Sequence, residues 1–292
     1  MIISHIIGGL GNQMFQYALG RSRSVALGTP LRLHVSDFTG YGLHQGFQLE
    51  DVFDCDFQLA SEQDVRALLG WRKYRLCRRL LMHRSAAALR GARFVAEPHF
   101  DYWPGILATA GDCYLAGHWQ SEKYFRDIEK VIRFDFTFRA PLTGQNIEWA
   151  SRISNSAAVS LHVRRGDYAA NAKTLAVHGL CTLDYYHSAV DFIAAHVKAP
   201  EFFIFSDDIP WARGNLRLAF PCHYVEYNRG SASYYDMRLM SLCRHHIIAN
   251  SSFSWWGAWL NPRPDKIAIA PRQWFASDRD VKDLIPEKWV SL

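Results

Sequence analysis

The sequence predicts an α/β protein of two domains, each built on a parallel sheet. Three observations carry that expectation. The amino end reads strand, glycine turn, helix, strand, which is one βαβ unit. Alternation of short apolar runs with helically spaced runs resumes after a polar stretch at 141–155. A chain of 292 residues is long enough for two such domains. The expected division is 1–145 and 146–292, with a cleft between domains as the place for a ligand.

The first βαβ unit comprises Met1–Ile7 as a buried strand, Gly8-Gly9 as its turn, Asn12–Leu27 as helix and Leu31–Val35 as the next strand. Met14, Phe15, Ala18, Leu19 and Val25 supply the helical spacing. Ser61 with Asp64 marks a helix start for Glu62–Leu69, and the basic segment Trp71–Arg90 is expected to continue as helix. Cys113–Ala116 reads as a short strand. In the second half the expected strands are Ala157–Val163, Phe202–Phe205, Cys222–Tyr227, His246–Ala249 and Lys266–Ala270. The helices between them are Leu183–His196, Ile209–Leu216, a helix from Ser233 to His245 opened by a Ser233/Asp236 capping box, and Phe253–Leu260.

Composition narrows the function. Hydrophobic residues at 49% and charged residues at 21% describe a folded globular chain. Nine Lys or Arg and no acid lie between Val65 and Ala96; elsewhere 24 basic residues are outnumbered by 28 acidic ones. A uniform nucleic-acid-binding surface is therefore not expected. Six scattered cysteines without a CxxC pair read as thiols of a reducing compartment, and no His/Cys cluster has zinc spacing. The start MIISHIIGG has no basic leader, and no apolar run is long enough for a membrane span.

Four segments at strand ends could carry chemistry. In Gly8–Gln13, glycines allow close backbone approach and a helix N-terminus favours anions, so Gly11, Asn12 and Gln13 are candidate sugar or phosphate contacts. The alternative is a turn that only packs helix on strand. In His162-Val163-Arg164-Arg165-Gly166-Asp167-Tyr168, Arg164 suits a planar fork on phosphate and Asp167 could pair with Arg165. In Phe205–Trp211, Asp207 or Asp208 could accept from guanine, or either could cap the next helix. In Asn250–Gly257, Ser251, Ser252 and Phe253 open a helix that could hold phosphate, while Trp255, Trp256 and Trp259 read as core.

Taken together, GGLGNQMFQYA, HVRRGDY, FSDDIPW and ANSSFSWWGAWL resemble, in order, the signatures of glycosyltransferase family 11, the α-1,2-fucosyltransferases. GHWQSEKYF and DMRLMSLCRHHIIAN are similar too, and the likeness spans nearly the whole chain. Gln45 and Gln48 stand where the family pattern would have Asn and Glu. The resemblance implies a GT-B-like pair of Rossmann-type domains facing each other across a cleft, GDP-fucose as donor, no metal or other cofactor, and inversion at the anomeric carbon. It implies nucleotide contacts from His162 and Arg164, with Arg164 on the β-phosphate, guanine contact from Asp207 or Asp208, and phosphate contact from Ser251, Ser252 and Phe253. Asn12 and Gln13 would lie near donor phosphate and acceptor. His44 and Asp37 are the general-base candidates. The acceptor would be a galactose-terminated glycan, lipid-linked in one version, in bacterial surface polysaccharide synthesis. A cytoplasmic enzyme is expected. Segment 71–93 could rest on the inner face of the plasma membrane, or be a solvated helix that packs its leucines inward.

Overall fold

The computed structural model describes residues 1–40 and 44–292; the side chains of Asp167 and Ala170 are outside the description. The chain divides into two compact units, Met1–Arg139 with Lys282–Leu284, and Ala140–Val281 with Ile285–Leu292. The division falls a few residues before the expected 145/146, and the return of 282–284 to the first unit is not visible in the sequence.

The first unit holds strands β1 (Ile2–His5), β2 (Leu31–His34), β3 (Gln58–Leu59), β4 (Phe94–Ala96) and β5 (Cys113–Ala116). They form one parallel sheet in the order β3-β2-β1-β5-β4. Its helices are α1 (Leu10–Leu27), α2 (Leu49–Val52), α3 (Glu62–Leu69), α4 (Arg75–Leu81) and α5 (Glu129–Asp135). Alternation along β1 sends Ser4 towards α1, where its hydroxyl donates to the Gln16 carbonyl at 2.8 Å. Ile3 goes to the opposite face, into a core with Val65, Leu68, Leu81, Phe94 and Tyr114. The Ser61/Asp64 capping box is formed, with each partner bonding the other's backbone N–H.

The basic segment is not one helix. After Gly70, whose φ of +56° ends α3, a 3₁₀ turn at Gly70–Lys73 precedes α4. The chain turns extended at His83 and closes with a second 3₁₀ stretch at Arg84–Leu89. Two anchors explain the break. Arg78 pairs with Asp37 at 2.7 Å, and Arg90 folds back on the end of α4, donating to the carbonyls of Leu81, Met82 and His83.

The second unit holds β6 (Ala157–Val163), β7 (Pro200–Ser206), β8 (Cys222–Val225), β9 (His245–Ile247), β10 (Ala268–Ala270) and β11 (Val290–Ser291). All pairings are parallel, in the order β11-β10-β9-β6-β7-β8. Its helices are α6 (Gln145–Ser154), α7 (Gly166–Ala170), α8 (Ala172–His178), α9 (Leu183–His196), α10 (Ile209–Asn215), α11 (Tyr234–Leu242) and α12 (Ser252–Leu260). Val159, Leu161 and Val163 pack with α9 and α10 on one face, while Ala158 packs with α6 and α11 on the other. The Ser233 side chain does not cap α11; Asp236 instead accepts from Asn228 Nδ2 at 2.7 Å. Each unit is thus a Rossmann-type α/β layer structure, and the fold class is GT-B-like.

Candidate active site

Order of strands decides where a ligand can sit. In the second unit the chain runs outward from β6 through β7 and β8, then crosses back to β9 on the other side of β6. The loops leaving β6 and β9 therefore diverge, and the gap at their carboxyl ends is the place where open α/β sheets bind ligands. His162 is on β6 and Arg164 just beyond it, while Ser251, Ser252 and Phe253 follow β9. Asp207 and Asp208 follow neighbouring β7.

Arg164 donates through Nη1 to Asp207 Oδ2 at 2.8 Å, and its guanidinium lies 5.2 Å from the Tyr168 ring centre. The other Asp207 oxygen accepts the Arg165 backbone N–H at 2.8 Å. A side chain on Gly166 would collide with Asp207, at 2.8 Å from its Oδ2, so glycine is required for the aspartate to reach under the loop. Arg165 turns the other way, with its guanidinium 3.9 Å from the Trp211 ring centre. The suggested Asp167 partner for Arg165 falls on a side chain outside the described residues.

His162 is buried, and its Nδ1 has no hydrogen-bond partner. Burial pushes its pKa down to about 4, helped by Arg164 and opposed by Asp207, so the imidazole is neutral at pH 7. Its ring leans on Phe253, 6.0 Å between centres. An orphaned buried nitrogen costs free energy unless something docks against it. Beside it, α12 begins without a side-chain cap: Ser251 precedes the helix but does not bond its amides. The first-turn amides of Ser252 and Phe253 have no acceptor within the helix, and the helix dipole makes that end positive. Trp255, Trp256 and Trp259 are buried.

The aspartates have partners inside the chain. Asp208 caps α10, accepting from Trp211 N at 3.1 Å, and Ser206 Oγ accepts the Asp208 N–H at 2.9 Å. The capping alternative is the geometry Asp208 adopts, and Asp207 is an orienting partner for Arg164.

The first unit has its own switch point, between β1 and β5. Gly8 has a φ of +80°, and a Cβ there would lie 2.8 Å from Asn12 Nδ2, so glycine is needed on both counts. Asn12 Oδ1 accepts from Gln120 Nε2 at 2.7 Å, tying the first turn of α1 to the segment after β5. Gln13 is wholly buried and fully used. Its Nε2 donates to the Gly8 and Gly46 carbonyls at 2.9 and 2.8 Å, and its Oε1 accepts from Gln48 N at 3.0 Å. Gln13 is thus a staple between two loops. Gly11 is buried in the first turn of α1. Gln16, passed over in the sequence, is a second staple between Ile7 N and the Gly117 carbonyl.

The two base candidates differ. Asp37 accepts from His5 Nε2 at 2.9 Å and Arg78 at 2.7 Å, with Arg75 at 3.7 Å. Although burial works the other way, His5 and Arg78 hold its carboxyl well below the usual range. A carboxylate so stabilised is a weak base, and Asp37 is a structural charge. The His44 ring lies against Gly9, about where a Cβ on that glycine would be 3.5 Å from it, at the exposed mouth of the loop. The sequence contains Asp54-Cys55-Asp56 and Asp278-Arg279-Asp280 at the spacing some metal-dependent transferases use. Asp54 and Asp56 pair with Arg139 and Arg21, and no cluster of three metal-ligating groups occurs among the described residues.

The fold has solved counterparts. Fucosyltransferase NodZ from Bradyrhizobium superposes with a TM-score of 0.58 at 14% identity, covering 91% of this chain and 94% of NodZ. The family model for glycosyl transferase family 11 matches residues 105–292. An Escherichia coli α-1,2-colitosyltransferase is 36% identical over 100% of this chain and 99% of its own. The O-antigen biosynthesis glycosyltransferase WbnK of Escherichia coli is 31% identical over 99% of each. The chain belongs to glycosyltransferase family 11, and it is an enzyme.

Proposed function

We propose that the enzyme transfers L-fucose from GDP-fucose to the 2-hydroxyl of a terminal β-galactoside, giving an α-1,2 linkage with inversion. The observation that carries this reading is the phosphate-ready end of the β6/β9 gap: neutral His162 with an unpartnered Nδ1, Arg164 held by Asp207, and the uncapped start of α12. That set suits a nucleotide diphosphate. The acceptor oxygen forms a bond to the anomeric carbon as the bond to the β-phosphate oxygen breaks, and the electron pair leaves with GDP. Arg164 and the α12 amides stabilise charge that grows on the β-phosphate, which lowers the barrier more than it tightens ground-state binding. The hydroxyl proton goes to His44 or to water. Since protein cations and amides supply the counter-charge, we assign no metal to the reaction.

The pathway we propose is bacterial O-antigen assembly, which the name of WbnK supports; its setting in the cytoplasm on a galactose-terminated, lipid-linked glycan is part of the same proposal. The test is incubation with GDP-fucose and β-galactosides, with and without EDTA, followed by product linkage analysis. The expected result is an α-1,2-fucoside, formed equally under chelation. No transfer from GDP-fucose would overturn the donor assignment, and loss with EDTA restored by Mg²⁺ or Mn²⁺ would overturn the metal-free step. The similarity to a colitosyltransferase gives a second reading, colitose as the sugar. It wins if GDP-colitose is used with the higher kcat/KM.

A further inference from the structure

Helix α4 faces the wrong way for a soluble surface. The side chains that dock it are Arg78, paired with Asp37, and Leu81, which is 2% exposed and part of the core. Opposite them on the helix, one turn apart, stand Leu76 at 75% exposure and Leu80 at 64%. Trp71, Tyr74, Met82 and Leu89, from the turns on either side, are exposed as well. Fourteen large hydrophobic side chains are exposed among the described residues, and six of them fall in this stretch of nineteen. A solvated helix would bury its leucines and show its arginines. Here Arg78 is buried while Leu76 and Leu80 are out.

The same face is cationic. Arg75 and Arg79 flank the leucine pair one position away along the helix and are exposed, and Arg84 and Arg93 are exposed nearby. Among the described residues Arg72, Arg79, Arg84, Arg90 and Arg93 form no ion pair with a carboxylate, and no acid lies between Val65 and Ala96. Apolar side chains ringed by cations that mostly lack a carboxylate partner, with tryptophan and tyrosine among them, match one kind of partner: the headgroup layer of an anionic bilayer. Leucines enter the acyl boundary, aromatic rings sit at headgroup depth, and guanidinium groups meet phosphate.

We propose that residues 71–90 form a preformed docking surface for an anionic lipid bilayer. The Arg78–Asp37 pair and Leu81 fix α4 so that its outward face is already presented, and no refolding is required to bind. The surface belongs to the first unit and does not depend on which sugar the second unit carries.

The test is sedimentation with vesicles of phosphatidylglycerol or of phosphatidylcholine, at low and high salt. The Debye length shrinks from about 10 Å at 0.1 M to about 3 Å at 1 M. The full chain is expected to pellet with the anionic vesicles at low salt and to be released at high salt. Leu76→Glu with Leu80→Glu, and separately Arg79→Glu, should each reduce pelleting roughly tenfold. Transfer to a soluble acceptor should be unchanged, because none of the three side chains is in the site. Negligible pelleting under all conditions overturns the proposal, as does equal pelleting of wild type and both variants. A concentration-dependent dimer by light scattering that the leucine variant dissolves assigns the face to a second copy and overturns it too.

Discussion

Arg164 is the residue on which the chemistry should depend most. Its guanidinium is aimed by a 2.8 Å bond to Asp207 at the end of β6. Arg164→Ala should lower kcat by about 10² to 10³, roughly 3 to 4 kcal/mol of transition-state stabilisation, with folding intact. Arg164→Lys should recover part of that at most, since an ammonium cannot hold Asp207 and phosphate through one planar fork. Near-native kcat in the alanine variant refutes the role. Asp236 tests a different residue property. Burial raises its pKa to about 7, against an Asn228 bond that lowers it. A carboxyl raised in the native state binds more protons folded than unfolded, so its contribution to stability falls as pH rises from about 4 to 7. Asp236→Asn removes the charge while keeping an acceptor for Asn228. The variant should therefore gain Tm relative to wild type at pH 8 and gain little or nothing at pH 4; equal effects at both would show that the carboxyl does not titrate in this window.

At the scale of elements, the strands with the strongest apolar runs were legible: Cys113–Ala116 and Ala157–Val163 have the bounds the sequence predicts. Apolar side chains on both faces of a parallel strand leave little ambiguity. The basic segment misled for the converse reason. Its leucines at helical spacing predict one helix, but nothing local reveals that Arg78 is drawn to a distant aspartate and that Leu76 and Leu80 turn outward. Gln13 is a similar case. An amide beside a glycine turn looks like a ligand contact, whereas its partners at 46 and 48 lie in a loop remote in sequence. Gln13→Ala would leave a buried Gln48 N–H and two carbonyls unmatched, at about 1 to 3 kcal/mol for each group that water cannot reach. Chemical denaturation should show that loss, with GDP affinity of the folded fraction close to wild type. Unchanged stability with weakened GDP binding would restore the ligand role.

For the whole molecule, the sequence showed two α/β halves but not their true bounds. A linear reading ends the first unit once, near the polar stretch, because periodicity says nothing about a segment that comes back. Residues 282–284 do come back. Asp283 accepts from Tyr102 N at 3.0 Å and from Lys123 Nζ at 2.7 Å, and Ser121 Oγ donates to its carbonyl. The first unit is therefore closed by residues near the end of the chain, and its stability should be sensitive to them. Asp283→Ala removes one ion pair and strands a backbone N–H, both only partly accessible to water, so a loss of about 1 to 3 kcal/mol is expected. Because the partners all belong to the first unit, the loss should be local. Native-state hydrogen exchange should speed up around Tyr102 and Lys123 while amides of β6 and β7 keep their protection. Uniform loss of protection across both units would mean that they unfold together, and that Asp283 supports the molecule rather than one half of it.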